Sequence, residues 1–263
     1  MIAILAFACS VAAEEPASVT PFMPTPVEAP APPPRPAIRE PTDYHASRAL
    51  SGSARTALSA KRKPTVEALF SAAGVTFPPQ SVLLRVFKAQ GELEVWAGNA
   101  GPLAQIATWG ICAQSGELGP KRYEGDQQVP EGFYTIDLFN PVSDYHLSMR
   151  VSYPNAADRH FSDPKRPGGA IMIHGSCVSI GCLAMSDERI EELWQIASAV
   201  REQKRTVQVH IFPSRDMPKL IASNEFPQHN AFWETLAAGE AKFRETRVIP
   251  TIKVSSAGVY EVK

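Results

Sequence analysis

The sequence predicts a mainly β fold carrying a few packed helices, α+β in class. Three observations lead there. Short stretches with alternating apolar residues recur through the middle of the chain, at Val82, Leu84 and Val86, at Leu93 and Val95, at Tyr145, Leu147, Met149 and Val151, and at Val207, Val209 and Ile211. That period of two marks strands with one buried face. Gly and Pro punctuate these stretches at turn spacing, as at Gly91, Gly116, Gly119-Pro120 and Gly125-Asp126. The clearest helical periodicity covers Ser186 to Val200, where Ile190, Leu193, Trp194, Ala197 and Val200 share one face.

The elements follow in order. Ile2 to Ala8 is a short apolar run followed by small residues up to Ala13, ended by Glu14 and Glu15. It is too short to span a bilayer, which takes about 20 residues, and reads as an export signal over residues 1–13. No Lys or Arg precedes the run, a departure from the usual signal pattern. A second reading is lipid attachment at Cys9, a membrane anchor. Residues 14–63 form a Pro- and Ala-rich linker: ten of the 24 prolines fall between Pro16 and Pro41. Such a stretch has few ladder donors and little to bury, so an extended tether is expected. Asp43 to Ala60, rich in Ala and Ser, is expected to be loosely helical.

The folded domain is expected over residues 64–263. Pro64 opens a short helix with Val66, Leu69, Phe70 and Ala73 on one side and Gly74 as its stop. A hairpin follows over Val82 to Ala97, then strands at Ile106–Ile111, Phe133–Leu138 and Tyr145–Val151. Pro154 to Gly169 reads as a polar loop. Ala170 to Ile173 is a short apolar run typical of a buried strand, and it delivers His174 at its end. Ser186 can cap the long helix, with Asp187 and Glu188 at the positive end of its dipole. Strands are expected again at Thr206–Phe212 and Thr251–Val254. No internal repeat is present.

Composition excludes some classes. Net charge is −1, and the one basic cluster, Lys61-Arg62-Lys63, is too short for a nucleic-acid surface. No Gly-rich phosphate loop occurs, so no nucleotide or organic cofactor is expected. There are four cysteines, Cys9, Cys112, Cys177 and Cys182. With Cys9 removed or lipidated, three remain, which in an oxidising compartment implies one disulfide and a free thiol, or no disulfide.

The stretch that carries chemistry is AIMIHGSCVSIGCLAMSDERIEEL, residues 170–193. It sets His174 and Cys182 eight positions apart, between a buried strand and a capped helix, with small residues between them. A thiol that attacks a carbonyl needs a base, an orienter for that base and donors for the oxyanion. His174 can be the base, the carbonyl of Gly175 or a neighbour the orienter, and backbone amides around Ile180 to Cys182 the donors. Two other readings stand beside this one. His174 and Cys182 can be ordinary buried residues, or His174, Cys177 and Cys182 can bind zinc, although the spacing is not a usual zinc pattern.

These residues resemble the L,D-transpeptidase catalytic domain, the YkuD-like fold, in its YafK-like branch. The family's hallmark is a His followed later by [ST]-x-G-C, met here at His174-Gly175 and Ser179-Ile180-Gly181-Cys182. The stretches RVFKAQGELEVW (residues 85–96), ICAQSGELGPKRYEGDQQVPEGFYTI (111–136) and NPVSDYHLSMRVSYPNAADR (140–159) resemble the same branch. Ile180 stands where many members have His, and Leu183-Ala184-Met185 follows Cys182 where many have Arg.

The resemblance implies a β-sandwich or barrel-like catalytic domain and an exported, periplasmic or envelope enzyme of cell-wall biogenesis or cell shape. It implies that peptidoglycan stem peptides are the substrate, with Cys182 as nucleophile, His174 as base, no metal and a thioester intermediate. Tyr145, His146 and Arg159 are the candidate substrate-binding residues. Given the odd cysteine count, Cys112 and Cys177 are the best disulfide pair if one exists. The alternative within the fold is a hydrolase releasing a wall-linked lipoprotein from meso-diaminopimelate. Outside it stand a non-catalytic wall-binding module and a zinc protein.

Overall fold

The computed structural model describes residues 50–263. The expected export signal, Cys9 and most of the Pro-rich tether lie outside them. The elements are helices α1 (Gly52–Lys61) and α2 (Lys63–Ala72), strands β1 (Ser81–Phe87), β2 (Glu92–Gly98), β3 (Ala104–Gly110), β4 (Gly132–Ser143) and β5 (His146–Val151), helix α3 (Ala156–Phe161), strands β6 (Met172–His174) and β7 (Leu183–Ala184), helix α4 (Asp187–Glu202), strand β8 (Gln208–Phe212), helices α5 (Met217–Ser223) and α6 (Asn230–Thr246), and strands β9 (Ile252–Val254) and β10 (Tyr260–Val262).

Eight strands form one mixed sheet in the order β3-β2-β1-β8-β4-β5-β6-β7, and β9 and β10 pair separately. The β1–β2 hairpin turns through Lys88–Gln90 and Gly91, whose φ of +60° suits a residue without Cβ. β8 enters parallel to β1, and β7 parallel to β6; the other neighbours are antiparallel. β4 joins the two halves of the sheet. Its first residues, Gly132–Thr135, pair with β8, and Ile136 onward pairs with β5 after a register shift between Ile136 and Leu138. A bulge at that point bends the strand and carries the sheet around the core. At the far edge, Ala113 bridges to Ala184 of β7, with Cys112 N–H and Ala113 N–H donating to Ala184 O and Ala184 N–H donating to Ala113 O.

The main core lies under α4. Ile190, Leu193, Trp194, Ile196, Ala197 and Val200 are all buried in one cluster with Val82, Leu84, Val86, Leu147, Met149 and Ile173 from the sheet. Ser186 caps α4 by accepting from Arg189 N–H at 3.3 Å, as the sequence suggests. A second cluster on the opposite side packs Phe87, Phe133 and Phe212 against Trp233 and Leu236 of α6.

Two expectations need correcting. The start at residue 64 falls inside α2, and α1, within the segment read as tether, is docked on the domain. Ser59 Oγ donates to Glu191 O (2.9 Å), Gln195 Nε2 donates to Ser59 Oγ (2.9 Å), and Arg62 pairs with Glu191 (2.7 Å). The face that α1 buries consists of Arg55 and Ser59, so it carries no apolar stripe. Second, the polar loop expected between Pro154 and Gly169 contains α3. Asn155 accepts from Asp158 N–H and Asp158 reaches back to Asn155 N–H, a capping box that sets the start of that helix.

α6 approaches the sheet closely at Gly239. A Cβ there would stand 2.5 Å from Phe133 Cζ and 2.9 Å from Cε1. Gly239→Ala is therefore expected to destabilise the protein by about 1–3 kcal/mol through overpacking, although alanine is the better helix former. Chemical denaturation gives the test, and an unchanged midpoint would refute this tight contact.

Candidate active site

β6 and β7 are short, parallel and adjacent, and they place His174 at the end of one and Cys182 just before the other. The loop between them runs Gly175 to Cys182. Gly175 sits where a Cβ would meet Asp187 Oδ1 at 2.6 Å, His146 Cβ at 2.9 Å and Ile190 Cγ2 at 3.0 Å, so the chain passes there only without a side chain. That passage aims the Gly175 carbonyl at the imidazole, with O 2.6 Å from His174 Nδ1. With Nδ1–H donating to this carbonyl, the Nε2 lone pair is the ring's free base. Ser176 N–H donates to Asp187 Oδ1 (2.8 Å), tying the loop to the first turn of α4.

Cys182 is the free cysteine among the described residues, and its side chain is half-buried. Its Sγ accepts from Met172 N–H at 3.4 Å and lies 3.8 Å from Ala170 O. Ser179 Oγ–H donates to Cys182 O (2.7 Å) and accepts from Cys182 N–H (3.0 Å). The Cys182 amide is thus engaged by Ser179, leaving those of Ile180 and Gly181 as the loop's other donors. Gly181 takes φ +108°, a conformation L side chains rarely adopt. Burial pushes the Cys182 thiol up, while Met172 N–H and the Lys121 ammonium pull it down, and the net direction is up. Burial also lowers His174, against the opposing pull of the Gly175 carbonyl. Both shifts favour the neutral forms, a thiol and an imidazole.

His174 and Cys182 line one cleft of about 420 Å³, together with Tyr145, Ser148, Met172 and Ile180. A smaller cleft of about 220 Å³ meets Cys182 from another side and is lined by Lys121, Gln127, Gly168 and again Ile180. Ile180 is 57% exposed and lines both. A further cavity, about 590 Å³, shares none of these residues and lies by Phe139, Trp194 and Arg201.

The three candidate substrate-binding residues are placed differently from one another. The Tyr145 ring lies 4.9 Å from the His174 ring, inclined at 42°, and lines the cleft. His146 is buried, with Nε2 3.0 Å from Glu191 Oε1, on the side of the Gly175 backbone facing α4. Arg159 is exposed on α3 and is not among the residues lining either cleft. Lys121, Gln127, Asp144 and Met172 reach the clefts without having been singled out from sequence. Lys121 and Gln127 come from a loop some sixty residues before Cys182, and no local pattern announces such an approach.

Cys112 and Cys177 are joined by a disulfide, with Cα atoms 5.2 Å apart. It fastens the loop between His174 and Cys182 to the segment that follows β3. It also commits the Cys177 sulfur, which removes one of the three ligands of the zinc reading.

Residues 78–211 match the family model described as YkuD: L,D-transpeptidase catalytic domain. The chain is 35% identical over 176 residues to the Escherichia coli (strain K12) protein named "Putative L,D-transpeptidase YafK", covering 66% of this chain and 70% of that one. Among solved structures, it is similar to the helical cell shape determining protein Pgp2 from Campylobacter jejuni, at 20% identity over 72% of this chain and 80% of that one, with a TM-score of 0.44. Bd1075 from Bdellovibrio bacteriovorus is similar at 16% identity over 69% and 79% of the two chains, with a TM-score of 0.40.

Proposed function

Since the chain belongs to the L,D-transpeptidase catalytic-domain family, we propose that it is an exported cysteine acyltransferase acting on peptidoglycan stem peptides, with Cys182 as nucleophile and His174 as base. The observation that carries this reading is the shared cleft: the free thiol and an imidazole with its Nδ1 tied to a carbonyl face one cavity. The family acts on peptidoglycan, and that supplies the substrate class. The Cys112–Cys177 disulfide supports export, because such bonds persist in oxidising compartments. No helix among the described residues is long and apolar enough to cross a membrane.

The chemistry follows from the neutral pair. His174 Nε2 takes the Cys182 proton as Sγ attacks the carbonyl at the L-centre of diaminopimelate. Carbon–sulfur bond formation drives electron density onto the carbonyl oxygen, where loop amides can receive it. Collapse of that adduct breaks the C–N bond, and the imidazolium returns its proton to the departing amine. The thioester left on Cys182 is resolved by a second amine, which loses its proton to His174, and the thiol is restored. Water in place of the amine gives hydrolysis with the same residues.

The test is to incubate the full chain and its Cys182→Ala variant with purified muropeptides carrying tetrapeptide stems or lipoprotein-derived stubs, and to read products by mass spectrometry. Cross-linked dimers or exchanged terminal residues, absent with the variant, are the expected result. Loss of the stubs to leave tripeptides would instead assign hydrolysis of the lipoprotein linkage. No Cys182-dependent change on either substrate would overturn the enzymatic reading.

A further inference from the structure

α1 precedes the matched family segment of residues 78–211, yet it reaches the wall of the cleft that holds His174 and Cys182. The link is Arg55. Its side chain is buried, with the residue only 3% exposed. Its Nη1 donates to two backbone carbonyls, those of Ser143 and His146. These are the two ends of the turn that joins β4 to β5, and they are paired across it. The residues between them are Asp144 and Tyr145, both of which line the cleft.

The turn needs support to keep this shape: His146 closes it at φ +67°, a left-handed backbone that is strained for a non-glycine residue. Tyr145 N–H donates to Ser143 Oγ (3.0 Å), the turn's own contribution. Further hold comes from outside. Arg55 clamps the two carbonyls from α1, and Glu191 of α4 takes the His146 ring while also pairing with Arg62 at the end of α1. The carboxylates of Asp144 and Asp187 offset the cost of burying the guanidinium, whose burial pulls its pKa down while they pull it up. Asp187 is the residue that binds Ser176 N–H in the His174 loop. One cation therefore faces both walls of the site, the turn that carries Tyr145 and the acid that fixes the loop after His174.

We infer that Arg55 is a positioning residue for the reaction: from α1 it sets the Ser143–His146 turn, and so the place of Tyr145 over His174. The inference rests on the cleft being the acyl-transfer site. A residue that merely glues α1 to the domain would act otherwise, because Ser59 provides such an anchor one turn further along without touching the turn. Arg55→Gln loses the clamp; Ser59→Ala loosens α1 from α4 and leaves the clamp.

The experiment compares full-length wild type, Arg55→Gln, Arg55→Lys and Ser59→Ala by steady-state turnover of stem peptides and by NMR of the His174 ring protons, which feel the Tyr145 ring current. Arg55→Gln is expected to lower kcat/KM about ten- to a hundredfold, the scale of cost for misplacing part of a site by about 1 Å, and to shift the His174 ring resonances. Arg55→Lys, which keeps a cation able to donate to both carbonyls, is expected to recover part of both, and Ser59→Ala to leave both near wild type. Equal effects of Arg55→Gln and Ser59→Ala on turnover, or His174 resonances unmoved in folded Arg55→Gln, would overturn the inference. Should wild type show no Cys182-dependent turnover, the proposed function fails, and the resonances alone still decide whether Arg55 places Tyr145.

Discussion

His174→Gln is expected to lower kcat/KM for stem peptides about 10²–10⁴-fold, the range for removing a general base, with little change in melting temperature. The glutamine amide can still donate to the Gly175 carbonyl that His174 Nδ1 faces at 2.6 Å, so the loop keeps its contact and only the basic nitrogen is lost. The pH dependence has a definite sign. Burial lowers His174, so the imidazole stays neutral, and able to accept a proton, to a pH below the ordinary histidine range; the acid limb of wild-type kcat/KM is displaced downward accordingly. Burial raises Cys182, so direct alkylation by iodoacetamide should climb only above the ordinary thiol range. Fast alkylation that persists unchanged into mildly acidic buffer would instead reveal a resting thiolate–imidazolium pair and refute the neutral pair.

Removing the Cys112–Cys177 disulfide is expected to cost about 2–5 kcal/mol of stability, the usual loss for a native cross-link. The bond joins residues 65 positions apart and restrains the loop between His174 and Cys182. A Cys112→Ala, Cys177→Ala double variant avoids leaving an unpaired thiol, and its denaturation midpoint against wild type measures the effect. The wild-type midpoint should also drop in reducing buffer, while that of the double variant should not. Identical midpoints for wild type with and without reductant would show that the cross-link contributes nothing. Activity should fall as well, because the bond lies five residues from Cys182 along a loop rich in small side chains.

The parts of this fold that were legible in the sequence are those whose burial is apolar and local. The β1–β2 hairpin shows its alternation and its Gly91 turn, and α4 shows a cap and a continuous stripe. α6 is longer than α4 but was not legible as a helix. Its buried face is Trp233, Leu236, Gly239, Glu240 and Phe243, so a glycine and a carboxylate interrupt the stripe. Both have reasons outside the segment: Gly239 yields to Phe133, and Glu240 pairs with the buried Arg85 at 2.9 Å. α1 lies largely in the stretch expected to be loosely helical, but its docking was not legible for the same cause, since hydrogen bonds from Arg55 and Ser59 replace apolar contacts.

The candidate site divides along a similar line. His174, Gly175, Ser179, Gly181 and Cys182 fall in one short segment whose small residues and strand–helix setting mark it. Tyr145 could be named only through the resemblance, and its neighbour His146 proves to face α4 through Glu191 rather than the cleft. Lys121, whose charge bears on Cys182, arrives from a loop braced by buried contacts far from the motif. Lys88, Glu131 and Trp233 hold that loop: Lys88 donates to Gly119 O (2.8 Å) and Val129 O (3.0 Å), and Glu131 accepts from Gly119 N–H (2.7 Å) and Trp233 Nε1–H (2.7 Å). Nothing periodic in the sequence connects those three residues with Lys121.

The bridge between Ala113 and Ala184 bears on how a peptide can be read here. Many proteins capture extended peptides by letting them join an open sheet margin as one more strand, where the main chain supplies the grip. β7 has two residues, and the outward N–H and C=O of Ala184 are already taken by Ala113 and Cys112. The margin beside Cys182 is closed to such augmentation. Selection among peptides would then come from side chains and loop amides around Cys182, and substitutions at Tyr145, Ile180 or Lys121 should alter which peptide is chosen more than any change along β7.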